Sequence, residues 1–151
     1  MAVTLPTLMT RLQDTVTAVT PTLYAGESTF RLVDDMPVFL NEMAMSSGME
    51  RVFQVWMGES GREGHIQYPG VGEWVQEFEI WIAYPWAADL ATLHRRIMQD
   101  FHDVKKALDD PANWGDDVMH QYVPEWTGPT RFAKKAFIRP ITVVIQALLA
   151  R

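Results

Sequence analysis

Glu77 and Glu79 are the residues whose types and spacing come closest to a catalytic pair. They stand two positions apart in EWVQEFEIWIAYPW (73–86), where polar and apolar residues alternate. On a strand both carboxylates would lie on one side, roughly 7 Å apart, a separation that resembles the acid and base of inverting glycosidases. Two such acids are more typical of a solvated strand face. The pair, aided by a histidine, leaves a small hydrolase or ligand-binding domain as an alternative function.

The other polar residues do not form a recognisable metal or cofactor site. The sequence has no cysteine, which excludes thiolate nucleophiles and cysteine-rich metal sites. His94 and His102 share a predicted helix but are eight residues apart, whereas helical zinc ligands are four apart. The acids of 109–117 do not follow the EF-hand pattern. Gly70 and Gly72 lead into a strand and lack the third glycine of a nucleotide-binding loop. We therefore predict no catalytic residue, cofactor or metal.

Two helices are predicted from apolar residues that recur at three- and four-residue steps. The first spans 5–19, with Thr4 as its cap and Pro21 beyond its end. The second spans 89–108, with Asp89 as its cap. Its stripe is the clearest in the sequence and consists of Leu90, Leu93, Ile97, Phe101, Val104 and Leu108.

Strands are predicted from alternation and β-branched content at 51–58, 74–84, 118–123 and 136–150. One or two further strands are consistent with the residues around Val38–Leu40. The glycine-rich stretch 58–73 predicts a long hairpin loop, and Pro140 predicts an edge position or a bulge. Together these elements predict an α+β fold: a mostly antiparallel sheet with a long hairpin, and two helices packed mainly on one face.

The length of 151 residues predicts a single domain over 1–151. No apolar run is long enough to span a membrane, and the N-terminal segment does not resemble a secretory signal.

The net charge of −6 is unevenly distributed, with five acids and no base in 109–128 and five bases and no acid in 129–151. This polarity is either a chance clustering or a device that orients copies of the chain head to tail.

Six tryptophans are more than the interior of one such domain readily holds. Trp81 stands among the glutamates of its strand, and Trp56, Trp86, Trp114 and Trp126 lie near strand ends, breaks or charged residues. Aromatic residues are enriched at the centres of protein interfaces. The alternative is that both faces of the sheet are covered within one molecule. We predict an interface that contains Trp56, Trp81, Trp86, Arg131, Lys134 and Lys135.

The order of these segments resembles a known family. A short N-terminal helix is followed by RVFQVWMG, a glycine-containing loop, EWVQEFEIWIAYP, the helix DLATLHRRIMQDFHDVKKAL and the strand RPITVVIQALLA. This layout resembles phage tail terminator and tail-completion proteins over most of the chain. The acidic stretch 109–128 and the long 58–73 segment depart from it.

The resemblance implies a virion protein of the tail or neck that is not an enzyme. It implies a hexameric homo-oligomeric ring between the tail tube protein and the head-closure protein, which ends tube growth and passes DNA through its lumen without sequence-specific binding. A ring requires a heterologous interface, in which one patch meets a different patch of the next copy.

Two further alternatives stay open at this point. The first keeps the class and changes the position, to a head-closure or adaptor ring or another minor tail subunit. The second is a regulator that binds nucleic acid through the basic segment 131–139, although the acidic chain lacks the basic footprint of most such proteins.

Overall fold

A six-stranded mixed sheet forms the centre of the computed structural model, which describes residues 3–23, 29–33, 51–68, 71–85, 90–116, 118–123, 131–133 and 136–150. The strand order is β1-β2-β3-β6-β4, and β5 pairs with β6. Only β1 and β2 run parallel; the other pairs are antiparallel. The strands are β1 (Phe30–Leu32), β2 (Arg51–Tyr68), β3 (Val71–Pro85), β4 (Val118–Tyr122), β5 (Arg131–Ala133) and β6 (Ala136–Ala150).

Helix α1 (Leu5–Thr17) begins as predicted, because the Thr4 hydroxyl accepts a hydrogen bond from the Thr7 amide at 3.3 Å. Helix α2 (Leu90–Asp109) follows β3 and carries the predicted apolar stripe. The predicted cap Asp89 lies outside the described residues. Both helices pack the described residues of their apolar stripes into or against the same core cluster as one face of the sheet, so the predicted α+β fold with its helices on one face is confirmed.

The core lies between the helices and alternate residues of the three long strands. Phe53 and Val55 of β2 pair with Ile82 and Ile80 of β3, and Ile80 pairs in turn with Ile141 of β6. All of them are buried. Because side chains alternate along a strand, this register assigns every second residue of three strands to one apolar layer.

The prediction of a long loop at 58–73 differs from the structure. Strands β2 and β3 continue through most of that stretch, and the pairing of Tyr68 with Val71 leaves two residues between them. Register shifts after Met57 and Glu63 interrupt the pairing, as expected where polar and glycine residues disturb a ladder. The glycine content that suggested a loop belongs instead to an irregular hairpin, which β3 stabilises by pairing with β6 along its whole length.

Pro140 lies opposite Trp81 within β6, a strand that has neighbours on both sides. The prediction of an edge position is therefore wrong for the strand as a whole. Locally, however, β5 pairs with β6 only as far as Ile138, and β4 pairs with it only from Val144 onward. Proline, which has no amide hydrogen, thus lies in the interval between these two pairings.

Trp114 is buried, with 1% of its surface exposed, which corrects its assignment to the surface-directed tryptophans. Its indole nitrogen donates to the Leu108 carbonyl at 2.8 Å, and Arg11 donates to its backbone carbonyl. Gly115 follows with a positive φ of 82°, which favours glycine. The end of α2 is therefore fixed to α1 through this tryptophan. The strands suggested around Val38–Leu40, and Trp126, lie outside the described residues.

Candidate interaction face

The sheet face that points away from the helices carries Trp56 and Trp81, two of the predicted interface tryptophans, and we call it the outer face. Its members from β2, β3 and β6 follow from the register as Val52, Gln54, Trp56, Val75, Glu77, Glu79, Trp81, Ala83, Pro140, Thr142, Val144 and Gln146. Val52, Gln54 and Ala83 are buried, while the other nine are half-buried. The outer face is thus partly covered, in contrast to the fully buried face beneath the helices.

Trp56 and Trp81 form an aromatic pair at the centre of this face. Their ring centroids lie 5.6 Å apart and the ring planes are inclined by 48°. They come from adjacent strands and are diagonal to one another, because Trp56 pairs with Glu79 and Trp81 pairs with Gln54. The structure therefore brings together two of the three tryptophans that the sequence assigned to one interface.

Glu79 lies beside both rings. Its Oε2 accepts a hydrogen bond from the Trp81 indole nitrogen at 3.0 Å, and its backbone lies directly opposite Trp56. Glu77 is half-buried on the same face, one pleat further along β3. The carboxylate of Glu79 thus orients an aromatic ring, which is a use that the glycosidase comparison did not anticipate.

Gly58 marks the point where the outer face meets the irregular part of the hairpin. A Cβ atom at this position would lie 2.9 Å from the Glu77 carbonyl oxygen and 3.1 Å from the Glu77 Cβ. Since real Cβ atoms do not approach backbone so closely, the two strands can come together here only because the residue is glycine. The close approach places the edge of the tryptophan pair next to the first register shift.

The remaining predicted interface residues are only partly covered by the described structure. Arg131 begins β5 and pairs with Ile138 of β6, but its side chain lies outside the described part, as do Trp86, Lys134 and Lys135 as a whole. Their place in an interface stays a prediction.

A buried polar cluster, which the sequence analysis did not predict, lies on the sheet face that packs against the helices. The Arg51 Nε donates to Asp100 Oδ2 at 2.6 Å, and the Tyr84 hydroxyl donates to the same oxygen at 3.0 Å. Arg51 also donates to the Leu23 carbonyl, and the Arg96 guanidinium lies 5.4 Å from the centre of the Tyr84 ring. All four side chains of the cluster are at most 2% exposed. The cluster connects β2, β3 and α2 with the segment that follows α1.

Burial shifts the acidities of this cluster. Desolvation raises the pKa of Asp100, and the hydrogen bonds from Arg51 and Tyr84 offset part of that rise. Desolvation also raises the pKa of Tyr84 well above its usual value near 10, and the adjacent Asp100 adds to the effect. The cluster is enclosed by the core, so it fits a structural role better than a reaction with a substrate.

Signals for other kinds of site are weak in the described part of the chain. Its acidic and histidine side chains form no group of three that could hold a metal ion. An open depression of about 530 Å³ at the end of α2 is lined by polar and charged residues, among them His102, Lys106 and Asp110. None of the described helices has the length and apolar character of a membrane span.

No protein-family model matches the sequence, and no curated protein matches it.

Proposed function

We propose that this protein is a structural ring subunit of a virion neck or tail, which terminates the tail tube, joins the tail to the head and lets DNA pass through its lumen. The observation that carries the proposal is the half-buried Trp56–Trp81 pair on the face away from the helices. Large aromatic side chains that one molecule covers only in part are typical of interface centres. The order of helices and strands supports the same family resemblance.

The shape of the hairpin supports an assembly as well. On the side of β2 that faces the helices, Val55 is buried. Met57, two residues later on the same side, is 56% exposed. Strand β2 continues from there to Tyr68, which is roughly 35 Å of further chain. The hairpin therefore extends well past Val55, the last residue of β2 whose side chain is buried among those that the structure describes. Such an extension is suited to reaching a neighbouring subunit.

The charge distribution supports a head-to-tail arrangement. The five bases of 129–151 and the five acids of 109–128 are separated in sequence, and a heterologous interface joins two different patches. Under this proposal Trp56, Trp81 and Trp86 of one copy, with Arg131, Lys134 and Lys135 of the next, contribute to the contact. An acidic lumen would let DNA slide, because phosphates are held mainly by lysine and arginine.

Light scattering coupled to size-exclusion chromatography tests the proposal, with negative-stain imaging of the peak. We expect rings, and we expect Trp81→Ala to dissociate them. Met98→Ala is the matched control, since Met98 is 68% exposed on α2, away from the outer face. A monomer at high concentration that does not change when tail tube protein is added would contradict the proposal. A head-closure or adaptor ring rests on the same observation, and imaging of intact particles distinguishes the two positions.

A further inference from the structure

We infer that Trp56, Trp81 and Glu79 form a binding site for a cationic side chain, and that a second copy of this chain supplies the cation from its basic segment 129–139. The inference rests on the proposed assembly and specifies its chemistry. The three residues that form it, called the aromatic–acid site below, combine two inclined indole rings with one carboxylate. Indole faces attract ammonium and guanidinium groups, and a carboxylate pairs with both.

Among the described residues, no cation pairs with the Glu79 carboxylate. Glu79 is half-buried, and within the described chain the only polar contact of its side chain is the hydrogen bond from Trp81 to Oε2. A partly desolvated carboxylate is stabilised by a nearby cation. This one is held in place by the strand pairing and by an indole, so its position is fixed before any ligand arrives.

Trp56 adds an independent observation. Its indole nitrogen is buried and, among the described residues, no atom accepts its hydrogen bond. Buried donors are satisfied in the great majority of cases, so an unsatisfied one marks a place where a further group completes the structure. A peptide segment offers both missing elements, because its side chain can supply the cation and its backbone carbonyl can accept from the indole.

Elsewhere the same molecule holds a carboxylate, aromatic rings and guanidinium groups close together. In the buried cluster Arg51 pairs with Asp100 and lies 5.8 Å from the centre of the Phe30 ring, and Arg96 lies 5.4 Å from that of Tyr84. Carboxylate, aromatic ring and guanidinium are all present there. The aromatic–acid site holds the first two of these groups, and no described residue places a cation beside Glu79.

Charge complementarity identifies the occupant as a second copy. The segment 129–151 contains five bases and no acid, and four of those bases fall within PTRFAKKAFIR (129–139). An acidic chain has few other places that concentrate positive charge. A contact between this segment and the aromatic–acid site of the next copy joins two different patches, as ring closure requires.

A synthetic peptide with the sequence of residues 129–139 tests the inference. It is titrated into the protein, diluted below any assembly concentration, while tryptophan fluorescence is recorded. We expect saturable binding that weakens with added salt, and at least about a fivefold loss of affinity in Glu79→Gln, given typical strengths of cation–aromatic and ion pairs. The substitution keeps an acceptor for Trp81 and removes the charge. Asp14→Asn, an exposed acid on α1, is the matched control and should bind as the unmodified protein does.

A second peptide, in which glutamine replaces all four bases, should not bind. Equal binding of the two peptides, or unchanged affinity in Glu79→Gln with an unchanged unfolding midpoint, would overturn the inference. Light scattering keeps the two proposals separable. Rings that form while the peptide fails to bind contradict the aromatic–acid site alone, whereas Glu79-dependent peptide binding by a strictly monomeric chain supports the site and contradicts the ring.

Discussion

Polar and aromatic side chains on the two faces of the sheet differ in how far they are buried and in how they are paired. On the face beneath the helices, Asp100 accepts hydrogen bonds from Arg51 and Tyr84, and all three side chains are closed off from solvent. On the outer face, Trp56 and Glu79 are half-buried; among the described residues the Trp56 indole nitrogen has no acceptor and Glu79 has no cationic partner. In the first arrangement a carboxylate and its cation belong to one molecule, although Asp100 Oδ1 has no donor among the described residues. The second arrangement is the one that the proposed interface would complete.

The largest expected effect on the free energy of unfolding contrasts a buried with an exposed side chain on the sheet face that packs against the helices. Phe78 and Met57 are directly paired neighbours, yet Phe78 is 0% exposed and Met57 is 56% exposed. We expect Phe78→Ala to lower the free energy of unfolding by about 3–5 kcal/mol, because it removes buried apolar surface and leaves a cavity. Met57→Ala should change it by less than about 0.5 kcal/mol. Urea unfolding followed by circular dichroism measures both. Equal losses would show that the helical cover does not end at Val55.

A second prediction concerns the polar part of the core. Asp100→Ala leaves the Arg51 guanidinium and the Tyr84 hydroxyl buried without their acceptor, which should cost about 3 kcal/mol. We expect a cost at the low end of the usual range for breaking a buried ion pair, because burial raises the pKa of Asp100 and so makes its ionised form less stable. The control is Asp109→Ala on the same helix, which breaks an exposed pair with Lys105 and should cost less than about 1 kcal/mol.

The pH dependence of stability should report Tyr84. Because its pKa is raised in the folded state, the folded chain holds this proton more tightly than the unfolded chain does. Its contribution to stability is therefore fully present below about pH 10 and is lost as the pH rises above that value, by up to about 1.4 kcal/mol per pH unit. We expect denaturant midpoints to fall less steeply above pH 10 in Tyr84→Phe. Identical slopes in the two proteins would contradict the shift.

Periodicity in the sequence predicted the helices and strands better than it predicted how far the strands extend and pair. The stripes of α1 and α2 and the alternation in β3 and β6 are local properties, so the sequence reveals them directly. The hairpin itself was predicted, but the continuation of its strands through 58–73 was missed, because glycine and polar residues favour loops whereas the pairing of β3 with β6 holds β3 extended. That pairing is non-local, and a local pattern does not contain it.

The buried cluster had a signal that could have been found. Arg96 and Asp100 lie on the same stripe of α2 as Leu93, Ile97 and Val104, so helical spacing alone directs them inward. Their partner Arg51 was not predictable in this way, because its burial depends on where the first residue of β2 meets α2. The approach of Trp56 to Trp81 likewise depends on strand register, which the turn and the bulges set.

The smallest predicted effect compares two tryptophans, one from each region. Trp114 donates its indole hydrogen to the Leu108 carbonyl, whereas the buried indole nitrogen of Trp56 lacks an acceptor in the described structure. Phenylalanine removes the donor and keeps most of the ring. Trp114→Phe should therefore cost about 0.5–1.5 kcal/mol, plus the effect of a smaller side chain. For Trp56→Phe the loss of ring area is offset by removal of an unsatisfied donor, so we expect a change smaller than that of Trp114→Phe. Thermal unfolding of the dilute protein measures both, and an equal or larger loss for Trp56→Phe would mean that its indole hydrogen already has an acceptor within the single molecule.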